Sequence, residues 1–218
     1  MQAVIIPVTQ FAQNCSLVWC PRTREGAVID PGGDLDKVLA EVKKHGVKLR
    51  QILLTHAHID HAGGTARLAR EQELPIIGPH PGDQFWIDGI VEQGRMFGFG
   101  ECESFVPDRW LDQGDRVNVG DVAFDVQHCP GHTPGHVVFH SAKDRVAFVG
   151  DVLFAGSIGR TDFPGGDYDT LIRSIRERLF TLGDEVRFVP GHGPMSTFGD
   201  ERRTNPFVSD AAVAARRG

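Results

Sequence analysis

Short apolar runs, separated by turn-forming residues, occupy the first 30 positions of the chain. They read AVIIPV, SLVWC and GAVID, and they are rich in the β-branched and apolar residues that favour strands. The pattern predicts short strands that pair antiparallel at the edge of a sheet. The stretch DPGGD then ends the strand pattern and places Asp34 where its side chain could cap a helix.

A helical period follows this turn. Leu35, Val38, Leu39 and Val42 recur at the i, i+3, i+4 and i+7 positions, and Gly46 ends the pattern. The next predicted elements are a strand in QILL, a helix in GTARLAREQE and a short strand in PIIGP. The chain therefore passes from strands into alternating helices and strands.

Residues 82–110 show no clean period, because aromatic side chains and glycines are mixed there without a repeat. Two interpretations stay open. The segment is either a lid or wall that faces a substrate, or a loop held in place by its aromatic side chains.

Strand patterns return after residue 116 in VAFDVQHC, HVVFH and RVAFVG, and the last strand pattern is EVRFVP. Before it, YDTLIRSIRERLF predicts a helix whose apolar side chains share one face: Leu171, Ile172, Ile175 and Leu179. Strands followed by a helix thus occur in both halves, with no low-complexity linker between them. This order predicts an α/β fold, a four-layer α/β/β/α sandwich in a single domain over residues 1–218.

Composition limits the partners and the location of the protein. A net charge of −6 provides no basic surface for nucleic acid, and no apolar run approaches the roughly 18 residues of a membrane span. The start of the chain lacks the pattern of a signal peptide, although a mature secreted chain would lack it too. The 4 cysteines form no CxxC pair, which favours reduced thiols. We expect a cytoplasmic protein of undetermined oligomeric state, without nucleic acid or membrane partners.

The stretch QILLTHAHIDHAGG carries the clearest chemical signal. Directly after a predicted strand it brings His56, His58, Asp60 and His61 together over positions 56–61. Burying such groups is costly unless something pairs with them, so their density indicates a cation. In an extended chain His56 and His58 point the same way and can bind one ion, whereas Asp60 and His61 lie where the chain turns and can bind another.

Three later strand patterns end in a similar way. The stretches QHCPGHTPGH, AFVGDVLF and RFVPGHGP place His132, Asp151 and His192 next to glycine or proline. His132 would complete the first pair of ligands and His192 the second. Asp151 could bridge both ions, since a carboxylate has two oxygens. This set of ligands is typical of a two-metal hydrolase.

The remaining histidines have ordinary explanations. His45 lies beside lysines at a predicted helix end, where a positive charge is favourable. His80, His128 and His140 have no partner at ligand spacing. His136 fits either a supporting role for a ligand or the start of a strand.

The motifs HAHIDH, GHTPGH, GD and PGHGP, in this order, resemble the metallo-β-lactamase superfamily from Asp30 to about Ser196. The resemblance implies that superfamily's fold and the ligand sets given above, with Asp30 supporting the ligand loop. The turn DPGG alone would also explain Asp30. Within the superfamily, a bridging Asp151 argues against β-lactamases, and His58 argues against flavodiiron proteins, which carry glutamate there.

The stretches IIPVT, QNCSL, DPGGD, MFG, PDRWL, GRTDFPGGD and NPF are most similar to compact bacterial glyoxalase II, the hydroxyacylglutathione hydrolases. This resemblance implies a metal-dependent thioester hydrolase that cleaves substrates such as S-D-lactoylglutathione to a 2-hydroxy acid and glutathione. It also implies two divalent metal ions, with zinc preferred and iron or manganese as alternatives. Asp60 and Asp151 would be catalytic as well as ligating.

Two-domain enzymes of this type carry a C-terminal helical domain that contacts glutathione. This chain ends soon after PGHGPMST, so we expect that domain to be absent. Arg160 falls where those enzymes place a substrate-contacting lysine and is the candidate substrate-binding residue, although pairing with Asp162 or Asp167 would explain it as well.

Three other functions stay open. An iron-dependent persulfide dioxygenase and a lactonase belong to the same superfamily, and a non-catalytic metal-binding module belongs to a different class. The PGHGP motif favours the hydrolase over the dioxygenase, because those dioxygenases tend to carry a His-Asp pair there.

Overall fold

A computed structural model describes residues 1–217 of the protein. Its first sheet has five strands that follow each other in chain order: β1 (Gln2–Val8), β2 (Gln13–Trp19), β3 (Glu25–Ile29), β4 (Lys48–Leu53) and β5 (Ile76–Ile77). β1, β2 and β3 pair antiparallel at one edge, which confirms the prediction for the first residues. β4 and β5 continue the sheet in parallel.

The second half of the chain forms a six-stranded sheet and a separate hairpin. In chain order the sheet strands are β6 (Arg116–Val119), β7 (Val122–His128), β8 (Val137–Ser141), β9 (Val146–Gly150), β12 (Arg187–Pro190) and β13 (Ser196–Thr197). The hairpin consists of β10 (Leu153–Phe154) and β11 (Ser157–Ile158). In the sheet, β12 lies parallel to β9, and the other neighbours are antiparallel.

The helices are short and lie between or after the strands. They are α1 (Leu35–His45), α2 (Ile59–Ala62), α3 (Thr65–Gln72), α4 (Gln84–Asp88), α5 (Ile90–Phe97), α6 (Tyr168–Ser174), α7 (Phe198–Thr204) and α8 (Asp210–Arg217). A 3-10 turn precedes α4, and α6 continues through a π turn and a 3-10 turn to Leu182. The helix predicted over 168–180 is thus α-helical only in its first half.

Three clusters of buried apolar side chains separate four layers. The first cluster lies between the first sheet and its helices and includes Val38 and Leu68. The second fills the space between the two sheets, with Leu53 and Phe124 from opposite sides. The third packs the second sheet against α6 and α7 and includes Leu171. Since burial of these faces excludes water, the arrangement stabilises the predicted α/β/β/α sandwich, which the structure confirms.

Asp34 does not cap α1 as predicted. It directly precedes the helix, but its backbone is left-handed (φ 47°) and its side chain makes no capping hydrogen bond. Its carboxylate instead accepts hydrogen bonds from the backbone nitrogen of Thr9 (3.2 Å) and from Nζ of Lys37 (2.6 Å). Asp34 therefore joins α1 to the loop after β1.

The aperiodic segment 82–110 contains α4 and α5. Sequence periodicity missed them because α4 has only five residues and α5 only eight, with Gly89 between them. Gln93 of α5 accepts a hydrogen bond from the backbone nitrogen of Ile59 (3.2 Å) and donates one to the carbonyl of Trp86 (2.8 Å). The segment is thus fastened to the start of α2.

None of the helices in the described part of the chain combines the length and the hydropathy needed to cross a bilayer. A single domain over residues 1–218, with no helical glutathione-binding domain, stays a prediction. Its final residue, Gly218, lies outside the described residues.

Candidate metal centre

Strand ends from both sheets deliver the candidate ligands. β4 leads from the first sheet into the loop with His56 and His58, and α2 carries Asp60 and His61. In the second sheet, β7, β9 and β12 lead into the segments that hold the other three: His132, Asp151 and His192. Because strand ends are held by the sheet, they can fix side chains with little freedom.

The first cluster consists of His56, His58 and His132. One ring nitrogen of each lies within 4.8 Å of the others, and all three side chains are buried. The Nε2 atom of His132 is 3.0 Å from Nδ1 of His58. This spacing suits ligands around one ion, since zinc–nitrogen bonds measure about 2.0–2.1 Å.

The second cluster consists of Asp60, His61 and His192. Nε2 of His192 is 3.0 Å from Oδ2 of Asp60, and Nε2 of His61 is 3.8 Å from the same oxygen. Their ligand atoms also lie within 4.8 Å of one another.

Asp151 lies between the two clusters. Its Oδ1 atom is 3.3 Å from Nε2 of His61, and its Oδ2 atom is 3.7 Å from Nε2 of both His132 and His192. One carboxylate therefore reaches ligands of both clusters, as a bridging ligand requires.

Asp30 supports these ligands from behind. Its carboxylate accepts hydrogen bonds from the backbone nitrogen (2.7 Å) and the hydroxyl (2.6 Å) of Thr55, and it lies 2.9 Å from Nδ1 of His61. These contacts orient the His61 ring so that Nε2 faces the cluster. Asp30 thus does more than form the turn.

Two glycines allow the segments to approach closely. A side chain on Gly32 would meet the carbonyl of Asp60 at 1.5 Å, and one on Gly191 would meet Oδ1 of Asp151 at 2.1 Å. A larger residue at either position would push the ligand segments apart.

Two of the candidate ligand histidines have a backbone partner on the ring nitrogen that faces away from the clusters. Nδ1 of His132 donates to the carbonyl of Arg160 (2.7 Å), and Nδ1 of His192 donates to the carbonyl of Phe11 (3.1 Å). These bonds fix the tautomers and leave the lone pair of Nε2 free to bind a cation.

Several buried polar atoms of the clusters have no hydrogen-bond partner among the described residues. They include Nε2 of His56, Nε2 of His61 and Oδ1 of Asp151. Buried polar atoms are usually satisfied, and a cation would satisfy all three. The residues present therefore fit divalent metal ions, for which imidazole and carboxylate are common ligands.

The electrostatics of the first cluster favour neutral rings. Burial and the neighbouring histidines lower the pKa of His56 well below its usual value, and burial lowers the pKa of His58 to about 3. Burial also lowers the pKa of His132. Neutral imidazoles are the form that binds metal.

The second cluster has the opposite tendency. Burial disfavours a charged His61, but the carboxylates of Asp151 and Asp60 raise its pKa well above the usual value. Burial also disfavours a charged His192, whose pKa is nevertheless raised, mainly by its hydrogen bond to Asp60. Burial opposes ionisation of Asp60 and Asp151 as well, yet His61 keeps the pKa of both below normal. A divalent ion would compete with protons on these imidazoles.

His136 proves to be a supporting residue as well as the residue before β8. Its ring stacks on His56 with centroids 4.5 Å apart, and its Nε2 accepts a hydrogen bond from the backbone nitrogen of Asp151 (3.0 Å). The only sequence signal for this role was its position in GHTPGH, four residues after His132.

His80 and His128 do have a neighbour that the sequence did not indicate. With Asp112 they bring potential ligand atoms within 4.8 Å of one another. The two rings are stacked, however, with centroids 4.0 Å apart and planes at 17°. Lone pairs of stacked rings run parallel rather than converging, so this group lacks the geometry of the two clusters.

A cavity of about 600 Å³ opens beside the candidate ligands. Its aromatic lining, the pocket wall, consists of Phe11, Trp86, Phe97, Phe154 and Phe163. The rings of Trp86 and Phe163 lie 4.5 and 5.0 Å from the ring of His58. Residues of α4 and α5 therefore line the same cavity as the candidate ligands, and the segment is partly helical rather than a loop.

Arg160 is the only lysine or arginine that lines this cavity within the described residues. Its guanidinium binds Asp162 through two hydrogen bonds (2.9 and 2.7 Å) and lies 4.3 Å from the ring centre of Phe163. The side chain is 66% exposed. The structure thus contains the pairing with Asp162 that the sequence left as an alternative, at a position that also faces the cavity.

The fold and the ligand geometry define a metal-dependent hydrolase. Residues 8–192 match the profile of the Metallo-beta-lactamase superfamily, and the chain belongs to that superfamily. Hydroxyacylglutathione hydrolase GloC of Haemophilus influenzae is 44% identical over 96% of this chain and 99% of its own length. The resemblance inferred from the motifs is confirmed.

Solved structures agree with this assignment. The BLEG-1 B3 metallo-beta-lactamase superposes with a TM-score of 0.87 at 33% identity, over 95% of this chain and 99% of that one. TTHA1623, solved in a di-iron-bound form, gives 0.85 at 40% identity, over 94% and 99%. ETHE1 from Myxococcus xanthus gives 0.79 at 27% identity, over 96% and 85%.

Proposed function

We propose that the protein hydrolyses thioesters of glutathione, such as S-D-lactoylglutathione, to a 2-hydroxy acid and glutathione. The observation that carries this proposal is Asp151, whose two oxygens lie within 3.7 Å of ligands in both clusters. A shared carboxylate is typical of sites where two ions act on one substrate. The identity to a hydroxyacylglutathione hydrolase supports the choice of substrate.

In this proposal each cluster holds one ion. His56, His58 and His132 would hold the first ion, the second cluster would hold the other, and Asp151 would contribute an oxygen to each. When bound, divalent ions supply a water of lowered pKa and polarise the thioester carbonyl. Zinc is the proposed metal, and iron and manganese suit the same nitrogen and oxygen ligands.

The residues of the chain supply position and charge. Asp60 and Asp151 remain ionised and balance the cations in a buried site. The pocket wall excludes water and orients the thioester beside His58. A thiol with a pKa near 8.5 leaves readily as a thiolate, so the site needs no strong general acid.

Arg160 is the proposed substrate-binding residue. Glutathione carries carboxylates, and Arg160 is the cation that faces the cavity. Its bond to Asp162 is exposed to solvent, where ion pairs contribute little, so a substrate carboxylate can replace Asp162 at small cost.

We also propose a cytoplasmic location. All four cysteines are free, and three of them are buried, as expected in a reducing compartment.

The test combines metal analysis of the purified protein with a thioester assay on S-D-lactoylglutathione. We expect loss of thioester absorbance that stops when a chelator removes the metal and resumes when metal is restored. A metal-loaded protein that binds thioester without turnover would instead support the non-catalytic module.

Parallel assays address the rival activities. ETHE1 is among the structural neighbours, so oxygen uptake with glutathione persulfide, together with silence toward lactoylglutathione, would favour a persulfide dioxygenase. Turnover of a homoserine lactone alone would favour a lactonase. Turnover of a β-lactam alone would favour the activity named for BLEG-1.

A further inference from the structure

Asp83 is a buried carboxylate that belongs to neither of the two ligand clusters. It ends the 3-10 turn Pro81–Asp83 and its side chain is 0% exposed. Its Oδ2 atom accepts hydrogen bonds from the backbone nitrogen of Ala57 (3.0 Å) and the hydroxyl of Thr133 (2.9 Å), and its Oδ1 atom accepts one from the backbone nitrogen of Gly135 (2.6 Å).

Two of these donors directly adjoin candidate ligands of the first cluster. Ala57 lies between His56 and His58, and Thr133 directly follows His132. One carboxylate therefore joins the two chain segments that carry the whole first cluster, and these segments follow strands of different sheets.

Burial of Asp83 is unfavourable for its ionised form. Burial raises the pKa of Asp83 to about 6, although hydrogen bonds from Thr133, Gly135 and Ala57 oppose the rise. When folding raises the pKa of a carboxyl, the free energy of unfolding falls as the pH rises through this range. Ionised Asp83 therefore lowers the stability of the fold at neutral pH.

We propose that Asp83 is a positioning residue, which sets the distance between the His56–His58 loop and His132 and thereby the affinity of the first cluster for its ion. The proposal rests on the ligand assignment made under the proposed function, but not on the identity of the substrate. Outer residues that orient ligands typically change metal affinity by about 10- to 100-fold when they are replaced.

The chain offers a matched control in Glu201. Its side chain is also buried, and it accepts hydrogen bonds from the backbone nitrogen of Gly156 (2.8 Å), from Ser196 (2.5 Å) and from Asn205 (2.8 Å). None of these donors adjoins a ligand of the first cluster. Glu201→Gln therefore makes the same change, from carboxylate to amide, at a buried three-donor site elsewhere.

The experiment compares Asp83→Asn and Glu201→Gln with the unchanged protein. Equilibrium titration of the metal-free proteins with Zn²⁺, and the rate of Zn²⁺ release to a chelator, give the affinity of each ion. Circular dichroism checks that both variants are folded at the temperature used. We expect Asp83→Asn to lower the affinity for one of the two Zn²⁺ ions by about 10- to 100-fold. Glu201→Gln should leave both affinities within about twofold of those of the unchanged protein.

A second variant covers the case in which Asp83→Asn does not fold. Thr133→Val keeps the shape of the side chain and removes only its hydrogen bond to Asp83, so we expect weakening of the same ion by a smaller factor. The absorption spectrum of the Co²⁺-loaded variant should change as well, because it reports ligand geometry rather than stability.

Several results would overturn the proposal. Equal loss of metal in Asp83→Asn and Glu201→Gln would assign Asp83 a general structural role, and unchanged affinity in the Asp83→Asn and Thr133→Val variants would refute it outright. An unchanged protein that binds no ion would remove its basis. Weakened binding in a protein that hydrolyses no thioester would support Asp83 and refute only the proposed function.

Discussion

The candidate metal centre and the pocket wall face the same cavity but are built differently. His56 and His61 are 0% exposed and lie among fixed hydrogen-bond partners, whereas Phe11 and Phe97 are 42% and 40% exposed. The ligands follow strands of the two main sheets, and the wall comes from short helices, a hairpin and loops. The difference indicates that the candidate ligands are fixed inside the protein, whereas part of the pocket wall lies at its surface.

This contrast has a physical basis. A ligand displaced by a fraction of an ångström loses its bond to the ion, so each ligand needs support from behind, as Asp30 gives His61. An aromatic wall binds a substrate through the apolar surface that is buried on contact. This buried area changes little when a ring shifts slightly. We therefore expect changes at the centre to abolish turnover, and changes at the wall to alter substrate preference.

The largest effect should come from Asp151→Ala or His58→Ala. Either change removes a candidate ligand, so we expect kcat for thioester hydrolysis to fall by much more than about tenfold. Circular dichroism should show that the fold is retained. Asp121→Ala, which alters an exposed carboxylate paired with Arg22, is the control. Full activity in either ligand variant would show that the assignment is wrong.

The next effect concerns pH and the second cluster. Carboxylates raise the pKa of His61 and His192 above normal, so a divalent ion must displace protons there. We expect metal affinity to fall as the pH falls, by up to about tenfold per pH unit for each proton displaced. Titration with Zn²⁺ in several buffers at different pH measures this, and an affinity independent of pH would contradict it.

A smaller effect should follow from Phe163→Ala at the pocket wall. The change removes an aromatic ring whose centre is 5.0 Å from that of His58, but it replaces no candidate ligand. We therefore expect kcat/KM to fall by about tenfold with the metal retained. Met96→Ala changes a residue of α5 that is 70% exposed and does not line the cavity, and it should behave like the unchanged protein. Loss of metal from Phe163→Ala would contradict the claim that the pocket wall acts on the substrate and not on metal binding.

The smallest effect is expected for Arg160→Ala. If its guanidinium binds a carboxylate of glutathione, KM should rise by a few-fold, about the strength of an exposed ion pair, with kcat little changed. Arg22→Ala removes an arginine that is somewhat more exposed (74% against 66%) and pairs with Asp121 elsewhere, and it should leave KM unchanged. An identical response to both variants would remove Arg160 from the substrate site.

Most strands could be predicted from sequence, because runs such as GAVID and RVAFVG are buried and bounded by turn residues. The pocket wall could not. Trp86 and Phe97 lie on helices of only five and eight residues that are separated by Gly89, so the apolar pattern is too short to predict them. Asp34 was misread because its left-handed backbone turns its carboxylate toward Lys37.

The sequence by itself predicted the candidate ligands of the first loop, since His56, His58, Asp60 and His61 form a dense local pattern. Only the tertiary structure decided that His132 lies 3.0 Å from His58 across 74 positions. It alone revealed Asp83, whose partners are 26 to 52 positions away. A local pattern of residues reflects the structure and chemistry of one segment. The distances between segments are set only when the two sheets pack together.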